Sequence, residues 1–360
     1  VLVLQLVITI VFFDSLWIKT NKGMTRALVN EINTFVEVYD QEKLDKDKLK
    51  NLFSLFLDLN IDSYLIEDQK FYWDWSLKGA YLPWNELSSL LLTERMPGAF
   101  LFYGFLQWLT NNNLFFVLVL QSLLDSFTCV IIFLCAGLLN KKYALFTGMF
   151  AVFSPLMIII SSQILSDTLF LFLFTFSLFF LLKYWRSSNS KKYIYLAGLF
   201  LGLSTFIRAA TFPLIFISLP IIFLIIKKSS NNYIQCFSTL SIFLLMALAP
   251  ISNRIVENMI EYDTYSLTSQ GGSHMAYWMV PGVLSVSKDM DRNSAVNLVN
   301  MEINKLGGVT GQPFKDSKKR INASINILKQ ENIYNITYAW FRSSIINVIS
   351  SPILIDYRVR

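Results

Sequence analysis

Charge is scarce in this chain of 360 residues. Asp, Glu, Lys and Arg make up 16%, against 54% apolar and 15% aromatic residues. Soluble domains carry about a quarter charged residues, so an ordinary water-borne fold is excluded. Cysteine occurs only at Cys129, Cys135 and Cys236, each inside an apolar run. That pattern offers neither metal-ligand spacing nor a disulfide framework, and it reads as packing. Histidine occurs once, at His274. No internal repeat and no low-complexity tract is found. What the chain does have is long apolar runs, several reaching the roughly 20 residues a helix needs to cross hydrocarbon. The composition predicts an all-α polytopic membrane protein. The net charge of +6 then bears on topology, and no nucleic-acid partner is expected.

Candidate spans fall at 1–18, 114–139, 143–162, 164–184, 193–208, 209–226 and 233–252, and a further one is expected to begin near 334. The run PGAFLFYGFLQWLT (97–110) is too short to cross and too apolar for water, which predicts a helix at the interface. The short connections 140–142, 183–192 and 227–232 hold eight Lys/Arg and no Asp/Glu. By the positive-inside rule they face the cytoplasm. Segment 19–113 is then a first outer loop with amphipathic helices and a candidate catalytic segment. The bundle follows at 114–252, a second outer loop region at 253–333, and the start of a further span at 334–360. The chain starts at Val1 rather than Met and stops at Arg360 after an apolar stretch, which reads as a piece of a longer protein.

Ionisable residues near a bilayer are costly, about 2.5–3.5 kcal/mol at a helix centre on insertion scales. This topology puts Asp68, Arg95, Asp167, Arg208, Arg254 and His274 on one membrane face. Each has a bland reading as well. Arg208 can snorkel to headgroups, Asp167 can cap its helix, His274 can be simply solvated, and the aromatic residues at 71–75 can form an interfacial belt. Their common side is what singles them out, as for a site working on something half lipid and half water-soluble.

The order of these features resembles the GT-C superfamily of polyprenol-phosphate-dependent glycosyltransferases, in particular its protein O-mannosyltransferase and aminoarabinose-transferase-like bacterial branch (family 39-like). The resemblance rests on EDQKFYWDWS (67–76), ERMPGAFLFYGFLQWL (94–109), FSPLMIIISSQILSDTLFLFLF (153–174) and LAGLFLGLSTFIRAATFP (196–213), with a looser match at SNRIVENMIEYDTYSLTSQGG (252–272). It implies a GT-C-like helical bundle in a bacterial inner membrane. The activity implied is transfer of a sugar from a polyprenyl-phosphate donor to a glycan, lipid or protein acceptor on the periplasmic face. It also implies catalytic roles for Asp68 and Asp167 and donor-phosphate contacts from Arg208 and Arg254. A sugar or acceptor pocket would be formed by Tyr72, Trp73, Trp75, Arg95 and His274. The sequence departs from the family in the long stretch between the first span and Asp68, and in having Gln69 where a second acid often stands. Asp62, Glu67 and Asp74 therefore remain alternatives for the base. Asp14 is nearer the first span but lacks the following tyrosine.

The chemistry supports these residue types independently. Attack by a hydroxyl or amine on a sugar–phosphate carbon needs a base, which contributes about 10²–10⁴-fold. The departing phosphate needs fixed positive charge, and the arginine fork suits it. Paired oxygen ligands such as Asp68 and Asp167 would suit Mg²⁺ or Mn²⁺, but no metal or other cofactor is assigned. Two other function classes compete. Asp125, inside the second span one turn after Gln121, suits a flippase or transporter. A polymerase or ligase of lipid-linked glycans would share both the donor chemistry and the membrane side.

Overall fold

The computed structural model describes residues 68–81, 93–188, 190–229 and 232–349. The expected span 1–18, the amphipathic patterns up to 66, and Asp14, Asp62 and Glu67 lie outside the described residues. Those described are helical, with no strand among them.

Among the described residues two helices precede the bundle, α1 (Asp68–Tyr81) and α2 (Gly98–Leu109). The Asn111–Asn113 turn then leads into α3 (Leu114–Leu139). Asn111 and Asn112 take left-handed backbone angles (φ 52° and 60°), which asparagine tolerates better than most residues. Asn113 caps α3 by accepting from the Phe116 N–H at 3.3 Å. At the far end Asn140 does two jobs. It closes α3 as C-cap, and its side chain accepts the Lys142 N–H at 2.9 Å to start α4 (Lys141–Val152). There follow α5 (Pro155–Ser161), α6 (Asp167–Lys183), α7 (Lys191–Ile207), α8 (Phe212–Ile217), α9 (Leu219–Ser229), α10 (Tyr233–Leu248) and α11 (Ser252–Tyr262).

Among the described residues three helices are long and apolar enough to cross a membrane: α3, α6 with its extension to Arg186, and the continuous Tyr233–Tyr262. Two runs expected to be straight spans are broken instead. Between α4 and α5 the axis bends by 51°, and between α8 and α9 by 46°; counting each bent pair as one span gives five. Both breaks have a proline cause. Pro155 and Pro220 have no N–H to give the carbonyl four residues back, so each starts a new helix rather than continuing the old one. At the first break Ser154 caps α5 through the Met157 N–H at 3.5 Å.

The α7 and α10 backbones approach closely at Gly198 and Gly202. A Cβ at Gly198 would lie 2.5 Å from the Phe243 carbonyl oxygen, and one at Gly202 would collide with that of Ala247. Small residues four apart are the usual way for helices in lipid to gain contact. Beyond α11 come α12 (Gln270–His274), α13 (Val280–Lys288), α14 (Arg292–Lys305), α15 (Pro313–Leu328) and α16 (Ile333–Ile349), and the last four share a separate core built on Val280, Leu284, Val299 and Ile327.

The three basic connections fall between α3 and α4, α6 and α7, and α9 and α10. Asp167 starts α6 and Arg208 ends α7, so both stand at the opposite end of their helices from the Lys/Arg-rich turn joining them.

Candidate active site

Asp68 opens α1, where a carboxylate suits the positive end of the helix dipole. Its Oδ1 accepts a hydrogen bond from Arg95 Nη2 at 2.9 Å. Arg95 lies in the turn before α2, with its guanidinium over the faces of Phe71 (6.0 Å) and Tyr72 (5.9 Å). Its Nε is buried without an acceptor. The Asp68 side chain is 58% exposed. Such a pair is worth little to stability, about 0–1 kcal/mol, and its effect is orientation.

A second acid–arginine pair lies beside the first. Arg208, the C-cap of α7, donates Nη1 to Asp167 Oδ1 in the first turn of α6, and its guanidinium stands 5.8 Å from the Phe170 ring. The two pairs meet through Gly98, three residues after Arg95. A Cβ there would sit 2.6 Å from Ile207 Cδ1, and Ile207 directly precedes Arg208. The absence of a side chain at Gly98 therefore lets the two turns approach.

Of the expected pocket aromatics, Tyr72 is 5% exposed and stacks on Phe100 at 4.8 Å. Its ring is committed to the core. Trp73 and Trp75 are half-buried; the Trp73 carbonyl accepts from Gln107 Nε2 at 3.0 Å, and Trp75 packs against Phe71 at 6.2 Å.

Arg254, on α11, is buried at 6% exposure. Its Nε donates to the Leu267 carbonyl at 3.3 Å, and Asn258 Nδ2 donates to the Ser266 carbonyl at 2.7 Å. The loop they hold reaches Thr93, whose carbonyl accepts from the Ser269 N–H at 2.7 Å and hydroxyl at 3.1 Å. Arg254 thus braces a loop that ends two residues from Arg95, and its Nη2 is buried without an acceptor. His274 ends α12 exposed, and no ion pair or hydrogen bond joins it to either acid–arginine pair. Among the described residues no three His, Cys, Asp or Glu side chains converge as a metal cage requires.

Two residues beside the site had no part in the sequence argument for it. Tyr103, on α2, and Gln121, on α3, are both fully buried and hydrogen-bonded to each other. Tyr103 and Gln107 were visible as two polar tips four residues apart on an otherwise apolar helix. Gln121 was noticed only as a neighbour of Asp125, which is itself buried at 2% exposure.

Residues 94–255 match the family model for dolichyl-phosphate-mannose-protein mannosyltransferases. The match bears out the GT-C resemblance over residues 94–255, in a multi-pass membrane protein. It spans Arg95, Asp167, Arg208 and Arg254, and stops short of Asp68 on one side and His274 on the other. No curated protein and no solved structure matches the chain.

Proposed function

From a GT-C region of this kind, which points to a membrane glycosyltransferase with a lipid-linked donor, we propose that the protein moves a sugar from a polyprenyl-phosphate donor to an acceptor. The transfer would occur on the membrane face opposite the basic connections, the periplasmic face of a bacterial inner membrane. The observation that carries this reading is the presence of two acid–arginine pairs, Asp68–Arg95 and Asp167–Arg208, whose arginine-bearing turns approach each other at Gly98.

In this reading the acceptor O–H or N–H gives its proton to Asp68 as its heteroatom bonds to the anomeric carbon. The bond from that carbon to the phosphate oxygen breaks, and the polyprenyl phosphate leaves with the electron pair. Arg95 holds Oδ1 of Asp68 while the side chain stays 58% exposed, which suits a carboxylate that takes a proton from an incoming acceptor. Arg208 and Arg254 hold the phosphate. Arg254 Nη2 is suited to this because a buried guanidinium N–H without a partner is costly, and an oxyanion would satisfy it. Asp167 orients Arg208, while Trp73 and Trp75 offer half-buried ring faces to the sugar. The reading gives His274 no role.

The test is sugar transfer from labelled polyprenyl-phosphate sugars in membranes holding the complete protein, wild type against Asp68→Asn. Transfer lost in Asp68→Asn at equal abundance supports Asp68 as base, and transfer retained moves the base to another carboxylate. No transfer from any donor, with lipid-linked glycan trapped on the cytoplasmic face in cells lacking the protein, would favour a flippase. Asp125 is the group such a reading would use, although its neighbour Gln121 is already committed to backbone carbonyls.

A further inference from the structure

Gln121 does something unusual for a residue inside a span. Its Nε2 lies 3.2 Å from the Ile160 carbonyl oxygen, 2.8 Å from that of Ser161 and 2.6 Å from that of Gln163. The first two oxygens belong to the last turn of the short helix α5 and the third follows two residues later; the Ile160 oxygen also accepts the Gln163 N–H at 3.1 Å and the Gln163 oxygen the Leu165 N–H at 2.9 Å. A side chain from another helix thus adds to the bonding of the turn that closes α5. Thr168, the residue after Asp167, adds its hydroxyl to the Ile160 carbonyl at 3.3 Å. On its other side Gln121 accepts from the Tyr103 hydroxyl through Oε1, and that hydroxyl also stands 2.6 Å from the Leu165 carbonyl oxygen. One hydroxyl hydrogen and two amide hydrogens are shared among these acceptors, so neither residue is spare.

Together the two side chains touch the segments that carry both carboxylates. From Leu165 the chain runs two residues to Asp167. The Tyr103 ring lies 6.3 Å from that of Tyr72, one turn along α1 from Asp68. An apolar residue at 121 would pack as well between helices, because lipid-embedded helices gain little from polarity itself. What an amide adds at this position is a grip on backbone oxygens leading to Asp167.

We propose that Tyr103 and Gln121 are positioning residues, a buried hydrogen-bonded hub that fixes the Asp167 loop relative to the α1 helix bearing Asp68. This rests on the transferase reading for its purpose, though not for its geometry, so the deciding measurement does not require turnover.

Spin labels at Asp74→Cys and Leu178→Cys, both exposed positions, report the separation of α1 and α6 by pulsed electron resonance. The sample is the full chain in lipid nanodiscs with Cys129, Cys135 and Cys236 replaced by Ala. The parent should give one narrow distance. Tyr103→Phe keeps the ring packing and loses only the hydroxyl; it and Gln121→Leu should broaden the distribution. Superimposable distributions in both would overturn the proposal. Gln121→Glu guards against simple misfolding. A buried carboxyl titrates above its ordinary pKa of about 4.3; protonated it can still donate to a carbonyl, and ionised it faces those oxygens as a like charge. The Gln121→Glu distribution should therefore be narrow at about pH 5 and broaden reversibly at about pH 9. A distribution independent of pH would also overturn the proposal. In turnover, Tyr103→Phe should lower kcat about tenfold with donor KM within about twofold, and an unchanged kcat would count against positioning. If the wild type transfers no sugar, the function reading falls, and the distance measurements still decide the hub.

Discussion

Arg95 Nη2 holds Asp68 Oδ1 at 2.9 Å while its guanidinium lies across Phe71 and Tyr72 on the helix that Asp68 begins. One side chain therefore fixes both the carboxylate and the first turn behind it. A lysine could match the charge but neither the fork nor the flat contact with the rings. Arg95→Lys should reduce transfer about tenfold, the equivalent of about 1.4 kcal/mol in the barrier. The unfolding temperature should barely move, because the pair is half exposed. Steady-state transfer alongside thermal unfolding checks both halves.

Gly98 separates two turns with no room to spare. An added Cβ would stand 2.6 Å from Ile207 Cδ1 and 2.7 Å from the Phe206 carbonyl oxygen, and the backbone oxygen has little freedom to withdraw. Gly98→Ala should cost about 1–3 kcal/mol and push the Arg95 and Arg208 turns apart. Chemical unfolding in detergent reads the first effect, and loss of transfer in the fraction still folded reads the second.

Arg254→Met separates bracing from binding. Methionine fills much of the same volume but cannot hold the Leu267 carbonyl or an oxyanion. If the unpartnered Nη2 serves the donor phosphate, donor KM should rise about 10–100-fold, the value of a charged hydrogen bond at about 1.5–3 kcal/mol. A fall in unfolding temperature with KM unchanged would leave Arg254 as a brace for the 264–269 loop alone.

The helices beyond α11 carry a pH signature. Burial alone would raise the Asp316 carboxyl, but the Thr310 hydroxyl and N–H at 2.7 Å each and the Gly311 N–H at 2.9 Å outweigh it, with Arg320 adding in the same direction. The carboxyl is therefore held below the usual carboxylate range. With the folded value depressed, the stabilisation is fully present above the unfolded value of about 3.9 and is lost as pH falls through the folded one. Asp316→Asn should destabilise α15 at neutral pH by about 1–3 kcal/mol. The gap to wild type should close below about pH 4, as followed by amide exchange in α15.

Much of the bundle could be read from hydropathy. The limits of α3 and the start of α10 are written in Asn113, Asn140 and Asn232, which cap where apolar runs begin and end. The two broken runs were legible too, since Pro155 and Pro220 stand inside them; average hydropathy hides a missing N–H. The site was legible as a set of charged residues on one face, but their partners were not. Asp68 finds Arg95 across 27 positions and Asp167 finds Arg208 across 41, separations at which only the folded chain decides. Burial was equally hidden. Tyr72 and Arg254 look alike in sequence to residues that stay accessible, yet both lie under other segments. Tyr103 was masked by the apolar helix around it, since an aromatic ring there needs no polar reason.

The glycine contact between α7 and α10 has a consequence in time as well as in space. Arg208 hangs from the end of a helix whose backbone lies directly against its neighbour at Gly198 and Gly202, whereas Asp68 stands half exposed in the opening turn of α1. On the proposed transferase reading, the phosphate-binding half is then set before any substrate arrives, and the half that holds the base is the one free to adjust. Donor should bind first and acceptor second, an ordered sequence that dead-end inhibition by an acceptor analogue, uncompetitive against donor, would reveal.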